Sequence, residues 1–223
     1  LERAETLKND FISSVSHELR KPLTAIKGWG ETVKLSVGED NDVVRHGLDV
    51  MLGEADRLSG LVEELLDFSR IESGSLTIET SLNDPAVIVS EVVDMYEEIA
   101  RQNKISLVLE RPEQNDMIMA DRNRLKQVFI NILDNAVKYG DKKINVEILD
   151  SLITVKNDGA KIAPEDLNNI FDRFYRAEKS RTTKGYGLGL SIAQNIVQNM
   201  NGKLTVQSNQ TDGTTFTAVF KTK

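Results

Sequence analysis

The sequence predicts an α+β protein with two domains, in which a helical hairpin precedes a layer of mixed sheet and helices. Apolar residues recur at helical and then heptad spacing as far as residue 65, and short alternating segments replace that pattern after Gly74. The chain has 223 residues, which suits one small and one medium domain because domains usually have about 100–150 residues. We therefore place the domain boundary between residues 74 and 75, giving domains 1–74 and 75–223.

The composition is that of a globular protein, with 39% hydrophobic and 28% charged residues. The net charge of −7 argues against a broad surface for nucleic acid, so we expect no nucleic-acid partner. The sequence has no cysteine, which excludes disulfides and fits a reducing compartment. It has no signal peptide and no apolar run near the roughly 20 residues of a membrane span. Because it begins inside a helical pattern, we expect an excised fragment.

The first domain is predicted to be a hairpin of two long helices joined by a polar turn at 38–42. The first helix covers about 7–37. The second carries a coiled-coil seam with alternating steps of four and three residues. The seam comprises Val44, Leu48, Met51, Ala55, Leu58, Val62 and Leu65. A lone hairpin would leave much of this apolar surface in water, so two hairpins are expected to form a dimeric four-helix bundle.

The second domain is predicted to be an α/β sandwich with a mixed sheet, because strand hairpins are interspersed with helices. The predicted strands are 76–79, 105–109, 117–120, 143–149, 151–156, 203–208 and 214–220. The predicted helices are Pro85–Asn103, Arg122–Tyr139, Pro164–Ile170 and Leu188–Asn201.

His17 is the first candidate for chemistry. It lies between two seam positions, Val15 and Leu19, so the helix turns its imidazole about 200° away from the seam and towards solvent. Glu18 beside it could hold the proton of one ring nitrogen and leave the other as a nucleophile. Pro22 interrupts the helical bonding just beyond it. The local alternative is a plain surface histidine next to a simple kink.

Three polar residues of the predicted helix 122–139 share one face, since Asn131, Asn135 and Lys138 follow at i, i+4 and i+7. Two carboxamides and an ammonium group suit a polyphosphate bound with Mg²⁺, which accepts neutral oxygen ligands. The alternative is an ordinary solvated face.

A glycine-rich stretch precedes the last helix, with Gly185, Gly187 and Gly189 around its start. Such glycines let backbone N–H groups approach phosphate at the positive end of a helix. The preceding segment is basic, with Arg173, Arg176 and Lys184 among its cations, and is predicted to cover an anionic ligand. A plain solvated loop is the alternative.

Together these segments resemble the sensor histidine kinases of two-component systems over nearly the whole chain. SHELRKPL is similar to the H box of that family, NILDNAVKYG to its N box and VKNDG to its first glycine box. FDRFYR is similar to the F box and GYGLGL to the second glycine box. The resemblance implies a dimeric helical bundle followed by an ATP-binding α/β sandwich of the histidine kinase, gyrase and Hsp90 type.

The resemblance also implies the roles of individual residues. His17 would accept the phosphoryl group from ATP and pass it to an aspartate of a response regulator, with Glu18 as its base or orienting group. Asn131 would be the Mg²⁺ ligand. The full-length protein would be anchored in a membrane. The nucleotide would be bound by Asn131, Asn135, Lys138, Tyr139, Asn157, Gly159, Arg173, Arg176, Lys184, Gly185, Gly187, Leu188 and Gly189.

The sequence departs from the family pattern at three positions. Asn157 stands where the first glycine box usually has an adenine-binding aspartate, which predicts weaker ATP affinity because the charge assistance is lost. If the motif is aligned one residue later, Asp158 is the alternative candidate for the adenine contact. Lys161 replaces the second glycine of the box. Lys21 cannot orient a water as the threonine or asparagine of dephosphorylating relatives does, which argues against phosphatase activity. Two rivals remain open: a catalytically weak dimeric scaffold, and an ATPase that does conformational work.

Overall fold

The computed structural model describes residues 19–35, 41–113, 116–176 and 187–222. The chain divides into two compact units, Leu1–Ser69 and Arg70–Lys223. Within the described ranges, no helix is both long enough and apolar enough to cross a membrane.

In its described part, the first unit contains two helices, α1 over 19–35 and α2 at Asn41–Glu72. The last residues of α2 belong to the second unit. They approach closely at Gly47, where an added Cβ would lie 2.5 Å from Cγ2 of Val33. The rings of Trp29 and His46 meet edge to face with centroids 5.0 Å apart. The predicted helices are confirmed over the described residues, while 7–18 and 36–37 lie outside them.

The predicted coiled-coil seam of α2 separates into two rows. One row is partly buried within the single chain and comprises Val44, Met51, Leu58 and Leu65. The other row is exposed and comprises Leu48, Ala55 and Val62, with Leu52 and Leu66 beside it. Leu52 is 64% exposed and Leu66 is 52% exposed. The hairpin therefore uses only half of its heptad pattern internally.

The second unit holds four helices and seven strands in its described part. The helices are α3 (Pro85–Gln102), α4 (Arg122–Tyr139), α5 (Pro164–Leu167) and α6 (Gly189–Asn199). The strands are β1 (Ser81–Asn83), β2 (Ser106–Glu110), β3 (Ile118–Ala120), β4 (Lys143–Leu149), β5 (Leu152–Asn157), β6 (Lys203–Asn209) and β7 (Gly213–Val219).

The main sheet has five strands in the order β2-β4-β5-β7-β6, and β1 pairs separately with β3. The β2–β4 pair is parallel, and the other neighbours in the main sheet are antiparallel. One face of the sheet is buried through alternate residues, for example Ile144 and Val146 of β4 and Val155 of β5. The mixed sheet of the predicted α/β sandwich is thus confirmed.

Side-chain caps fix where two of the helices begin. Asp84 accepts a hydrogen bond from the backbone N–H of Ala86 at the start of α3. Asp121 accepts from the N–H groups of Asn123 and Arg124 at the start of α4. Each cap pairs N–H groups that have no partner inside the helix.

Two of the predicted elements are wrong in detail. Residues 76–79 form no strand, because the N–H of Leu76 turns back to the Arg70 carbonyl and the N–H of Glu79 donates to the Asp121 side chain. The strand lies further along, at β1. The helix predicted at 164–170 ends at Leu167, since the next bond, from Asn169 N–H, spans only three residues to Asp166.

Candidate functional site

The polar face of α4 lies beside the apolar stripe that fixes the helix in the core. The buried residues of α4 are Leu125, Val128, Phe129, Ile132, Leu133 and Ala136. Asn131, Asn135 and Lys138 fall between this stripe and solvent and are half-buried. Asn135 Nδ2 donates to the backbone carbonyl oxygen of Asn131 at 2.8 Å, which holds the Asn135 carboxamide against the helix.

Asn131 and Gly189 bring α4 and the start of α6 together. A Cβ added at Gly189 would lie 3.3 Å from Asn131 Oδ1, so the glycine lets the helix end approach the carboxamide. Asn131 Nδ2 is buried and has no hydrogen-bond partner among the described residues. The N-cap residue Leu188 offers no side-chain cap, so among the described residues the first-turn N–H groups of α6 have no capping side chain and can bind an anion.

The two ends of the basic segment 173–187, which is predicted to cover the ligand, meet at Gly187. Its carbonyl oxygen accepts a hydrogen bond from Phe174 N at 2.9 Å. Its φ of 74° favours glycine, and an added Cβ would lie 2.8 Å from the Phe174 carbonyl carbon and from Tyr175 O. Residues 177–186, which include Lys184 and Gly185, lie outside the described residues.

The F-box residues are held by ion pairs and hydrogen bonds at the base of this segment. Arg173 forms an ion pair with Glu72, and Arg176 is half-buried. The Tyr175 hydroxyl bonds to the Asp166 carboxylate, and this bond raises the pKa of Tyr175 above its ordinary value.

The turn after β5 is packed against the end of α4. Asn157, the last residue of β5, is 3% exposed, and its Oδ1 accepts from the N–H of Gly159 at 3.1 Å. A Cβ added at Gly159 would lie 1.8 Å from the carbonyl oxygen of Tyr139. Only glycine fits there, so Gly159 brings the turn next to Tyr139, whose ring lies 4.9 Å from Lys138 Nζ.

Asp158 has a different role from Asn157, although the two are adjacent. Its Oδ1 accepts hydrogen bonds from the backbone N–H groups of Asp141, Lys142 and Lys143, at 2.9–3.1 Å. Burial raises the pKa of the Asp158 carboxyl, but these bonds outweigh it and hold that pKa below its usual value. Asp158 thus holds the turn against the segment that follows α4. Of the two neighbouring residues, Asn157 is the one whose side chain faces the core.

Sequence reasoning missed this anchoring role of Asp158 and a hydroxyl pair beside Asn157. Thr214 of β7 is the cross-strand partner of Asn157 and is 4% exposed. Its Oγ1 shares a 2.7 Å hydrogen bond with Ser208 Oγ. The sequence did hold a signal for this pair. Ser208 and Thr214 are hydroxyl residues at core-facing positions of their two predicted strands, where aliphatic residues are usual.

His17 and Glu18 lie outside the described residues, so their predicted roles remain predictions. The residues that are described fit a nucleoside triphosphate with Mg²⁺. A carboxamide oxygen can bind a hard cation, and the N–H groups of α6 and the Lys138 ammonium suit phosphate. In the described ranges, no three histidine or carboxylate residues group as a metal site, so a cation here would share its ligands with phosphate and water.

The second unit has a mixed sheet covered by helices on one face. The start of α6 at Gly189 lies beside Asn131 of α4, near Asn135 on the same helix face. These features define a nucleotide-binding α/β sandwich. Residues 120–223 match the family described as histidine kinase-, DNA gyrase B- and HSP90-like ATPase. Residues 7–74 match the His Kinase A (phospho-acceptor) domain. The chain belongs to the sensor histidine kinases and comprises their two-domain catalytic core.

Individual relatives agree with this assignment. The chain is 31% identical over 220 residues to sensor protein SrrB of Staphylococcus aureus strain N315, covering 95% of this chain and 38% of the relative. It therefore spans well under half of that protein. The Acinetobacter baumannii histidine kinase AdeS matches with a TM-score of 0.72 and 26% identity, over 93% of this chain and 98% of AdeS. Histidine kinase ThkA in complex with response regulator TrrA matches with a TM-score of 0.71 and 25% identity. The match covers 100% of this chain and 64% of the ThkA chain.

Proposed function

We propose that this chain is an ATP-dependent protein histidine kinase that phosphorylates its own His17 and transfers the phosphoryl group to an aspartate of a response regulator. The observation that carries the proposal is the buried Asn131 carboxamide, which lacks a described partner and faces Gly189 at the uncapped start of α6. A buried donor without a partner costs about 1–3 kcal/mol. A phosphate oxygen that accepts a hydrogen bond from Asn131 Nδ2 would remove that cost.

The phosphate site is local, because the chain as a whole carries a net charge of −7. We assign the phosphates to the N–H groups of α6 and to the face of α4 that carries Asn131, Asn135 and Lys138. Mg²⁺ held by Asn131 would neutralise charge on the phosphates. The other proposed nucleotide-binding residues are Tyr139, Asn157, Gly159, Arg173, Arg176, Lys184, Gly185, Gly187, Leu188 and Gly189.

The proposed transfer begins with a neutral ring nitrogen of His17, which attacks the γ-phosphorus in line. A P–N bond forms as the bond to the β,γ-bridging oxygen breaks, and ADP leaves with that electron pair. Glu18 accepts a hydrogen bond from the other ring N–H and stabilises the imidazolium character that develops. The cations of the segment 173–187 stabilise the negative charge on the transferring group.

We also propose that the chain acts as a homodimer through domain 1–74, with domain 75–223 as the nucleotide-binding part. The exposed row of α2 supports this, since Leu48, Leu52 and Leu66 have the spacing of a coiled-coil surface and their side chains are exposed in the single chain. A second hairpin would cover this row and complete a four-helix bundle.

The response regulator is proposed as the protein partner because ThkA, a structural relative, is seen in complex with response regulator TrrA. ATP and response regulators are found in the cytoplasm, so we place this core there. Following the sensor proteins that it resembles, we propose that it is part of a longer protein that is anchored in a membrane.

The test is incubation of the chain with ATP labelled at the γ-phosphate and Mg²⁺. We expect protein-bound label that is acid-labile and alkali-stable, and that is lost in His17→Ala and in Asn131→Ala. The matched control is His46→Ala, which removes the only other histidine and should keep the label. Label that survives His17→Ala would refute the assignment.

One observation favours the rival function of a catalytically weak dimeric scaffold. The acceptor oxygen of Asn157 is already engaged by Gly159 N–H, which weakens its hold on an adenine amino group. The scaffold reading predicts a dimer that binds a regulator but shows no saturable Mg²⁺-dependent binding of nucleotide.

A further inference from the structure

Tyr96 connects α3 to the turn of α4 that carries Asn131. Its side chain is 5% exposed, so the packing of α3 against α4 holds the phenol ring in place. The hydroxyl lies 2.5 Å from Asp134 Oδ1 and 3.3 Å from the backbone carbonyl oxygen of Ile130. Burial raises the pKa of Tyr96, and Asp134 raises it further, so the hydroxyl stays protonated and donates its hydrogen to the carboxylate.

Asp134 borders the polar row of α4 that is proposed to bind phosphate, but it is turned towards α3. It follows Asn131 by three residues and precedes Lys138 by four, and residues at these spacings are neighbours on a helix. Asn131 approaches Gly189 of α6, whereas Asp134 is bound to Tyr96 of α3. The hydrogen bond from Tyr96 therefore holds the carboxylate on the α3 side of the row.

The Asp134 carboxylate and the Lys138 ammonium group attract each other. Desolvation raises the pKa of Asp134, while the hydrogen bond from Tyr96 and the positive charge of Lys138 act in the opposite direction. An acidic residue four positions before a lysine is also the favoured order for an ion pair on a helix. Lys138 Nζ lies 4.9 Å from the centre of the Tyr139 ring as well. The flexible lysine side chain is therefore restrained before a ligand arrives, which lowers the entropy cost of binding.

We propose that Tyr96 is a positioning residue for nucleotide binding, because its hydroxyl holds the Asp134 carboxylate where that group orients the Lys138 ammonium towards phosphate. The inference rests on the proposed function, in which Lys138 binds the phosphates of ATP. Asp134 acts through Lys138 and does not itself contact the ligand.

Loss of the Asp134 charge has two opposed effects on the binding of Mg²⁺-ATP. The ammonium group loses its anchor, which weakens binding, and a negative charge near the phosphates disappears, which strengthens it. We expect the first effect to be larger. Asp134 is exposed, so solvent and salt screen its repulsion of the phosphates, whereas Lys138 is its neighbour on the helix.

The test is a double-mutant cycle on the binding of Mg²⁺-ATP by the whole chain, measured by isothermal titration. Tyr96→Phe removes only the hydroxyl, and Asp134→Asn keeps an acceptor oxygen for Tyr96 but removes the charge. We expect each to raise the Kd about fivefold, the scale of one hydrogen bond. Neither substitution should raise the Kd further when it is added to Lys138→Met, which keeps an unbranched side chain but has no charge.

The control variant is Asp94→Asn, which removes the same charge at an exposed position of α3 and should leave the Kd unchanged. Circular dichroism establishes that each variant is folded. Should Tyr96→Phe fail to fold, the arm of the cycle with Asp134→Asn decides alone.

A purely structural role for Tyr96 predicts the same loss of affinity with and without Lys138, and that result overturns the inference. Tighter binding by Asp134→Asn also overturns it, since the carboxylate would then act only by repelling phosphate. In both cases the parent chain still binds Mg²⁺-ATP, and the proposed kinase function stands. A parent chain that binds no Mg²⁺-ATP contradicts the inference and the proposed function together.

Discussion

Gly189 and Asn131 are in contact across the gap between α6 and α4, with the position of a Gly189 Cβ only 3.3 Å from Asn131 Oδ1. This approach is closer than most Cβ contacts, so any side chain at 189 displaces the carboxamide or the helix start. The proposed phosphate site therefore requires glycine at position 189, because a side chain there would crowd the Asn131 carboxamide.

Gly189→Ala is expected to weaken the binding of Mg²⁺-ATP without lowering the stability of the fold. The added methyl group pushes Asn131 from its position, and we expect the Kd for Mg²⁺-ATP to rise about tenfold, an energy of roughly 1.4 kcal/mol. The melting temperature should change little, because at the first residue of a helix alanine gains only part of the roughly 1 kcal/mol advantage that it has over glycine in a helix interior. Isothermal titration and thermal unfolding measure the two effects. Gly53→Ala in α2, with no atom within 4 Å of the added Cβ, should raise stability and leave ATP binding unchanged.

Gly159→Ala is expected to damage the fold around the site. The new Cβ would lie 1.8 Å from the Tyr139 carbonyl oxygen, and neither backbone segment can yield cheaply. Overpacking of this kind costs about 1–3 kcal/mol, and a backbone clash belongs at the upper end. Urea unfolding followed by circular dichroism gives the free energy of unfolding. A variant as stable as the parent would mean that the turn after β5 does not lie against α4 in solution.

Sequence reasoning worked where one pattern decided the structure. The amphipathic pattern predicted α4 with its observed bounds, and the alternation of side chains predicted β4. It failed at 76–79, where alternation is present but side-chain capping by Asp121 occupies the backbone N–H of Glu79. Such a contact joins residues 42 positions apart, and no local pattern contains it.

The candidate site was predicted in part for the same reason. Helical spacing alone brought Asn131, Asn135 and Lys138 to one face. The tertiary contacts of Gly159 with Tyr139, and of Gly189 with Asn131, could not be read from spacing. The anchoring of Asp158 is a further case, because its three partners are backbone N–H groups of the loop after α4 and of the first residue of β4, and no side-chain pattern marks them.

Leu52→Glu is expected to dissociate the proposed dimer. Leu52 is 64% exposed in the single chain, so a glutamate there costs the monomer little, but it would bury a charge between two hairpins. Light scattering coupled to gel filtration should give a dimer for the parent and a monomer for the variant. Asp49→Glu, which gives the same side chain at an exposed polar position of α2, should stay dimeric. A parent chain that is monomeric at all concentrations contradicts the proposed assembly.

Asp158→Asn should remove an acid-sensitive part of the stability. The pKa of Asp158 is lowered in the folded chain, so its ionised form stabilises the fold above the unfolded pKa, which is about 3.9 for aspartate. That contribution is lost as the pH falls through the lower, folded pKa. Since the carboxylate is exposed and screened by solvent, we expect the parent to exceed the variant by on the order of 1 kcal/mol at pH 7.

The measurement is urea unfolding of parent and Asp158→Asn at several pH values from about 7 down to about 3. The difference between their free energies of unfolding should be constant above about pH 5 and shrink below about pH 4. Asp94→Asn, at an exposed position of α3, provides the control and should show no comparable change. A difference that grows as the pH falls would have the wrong sign for a lowered pKa. It would mean that the three N–H groups do not hold the carboxylate in solution.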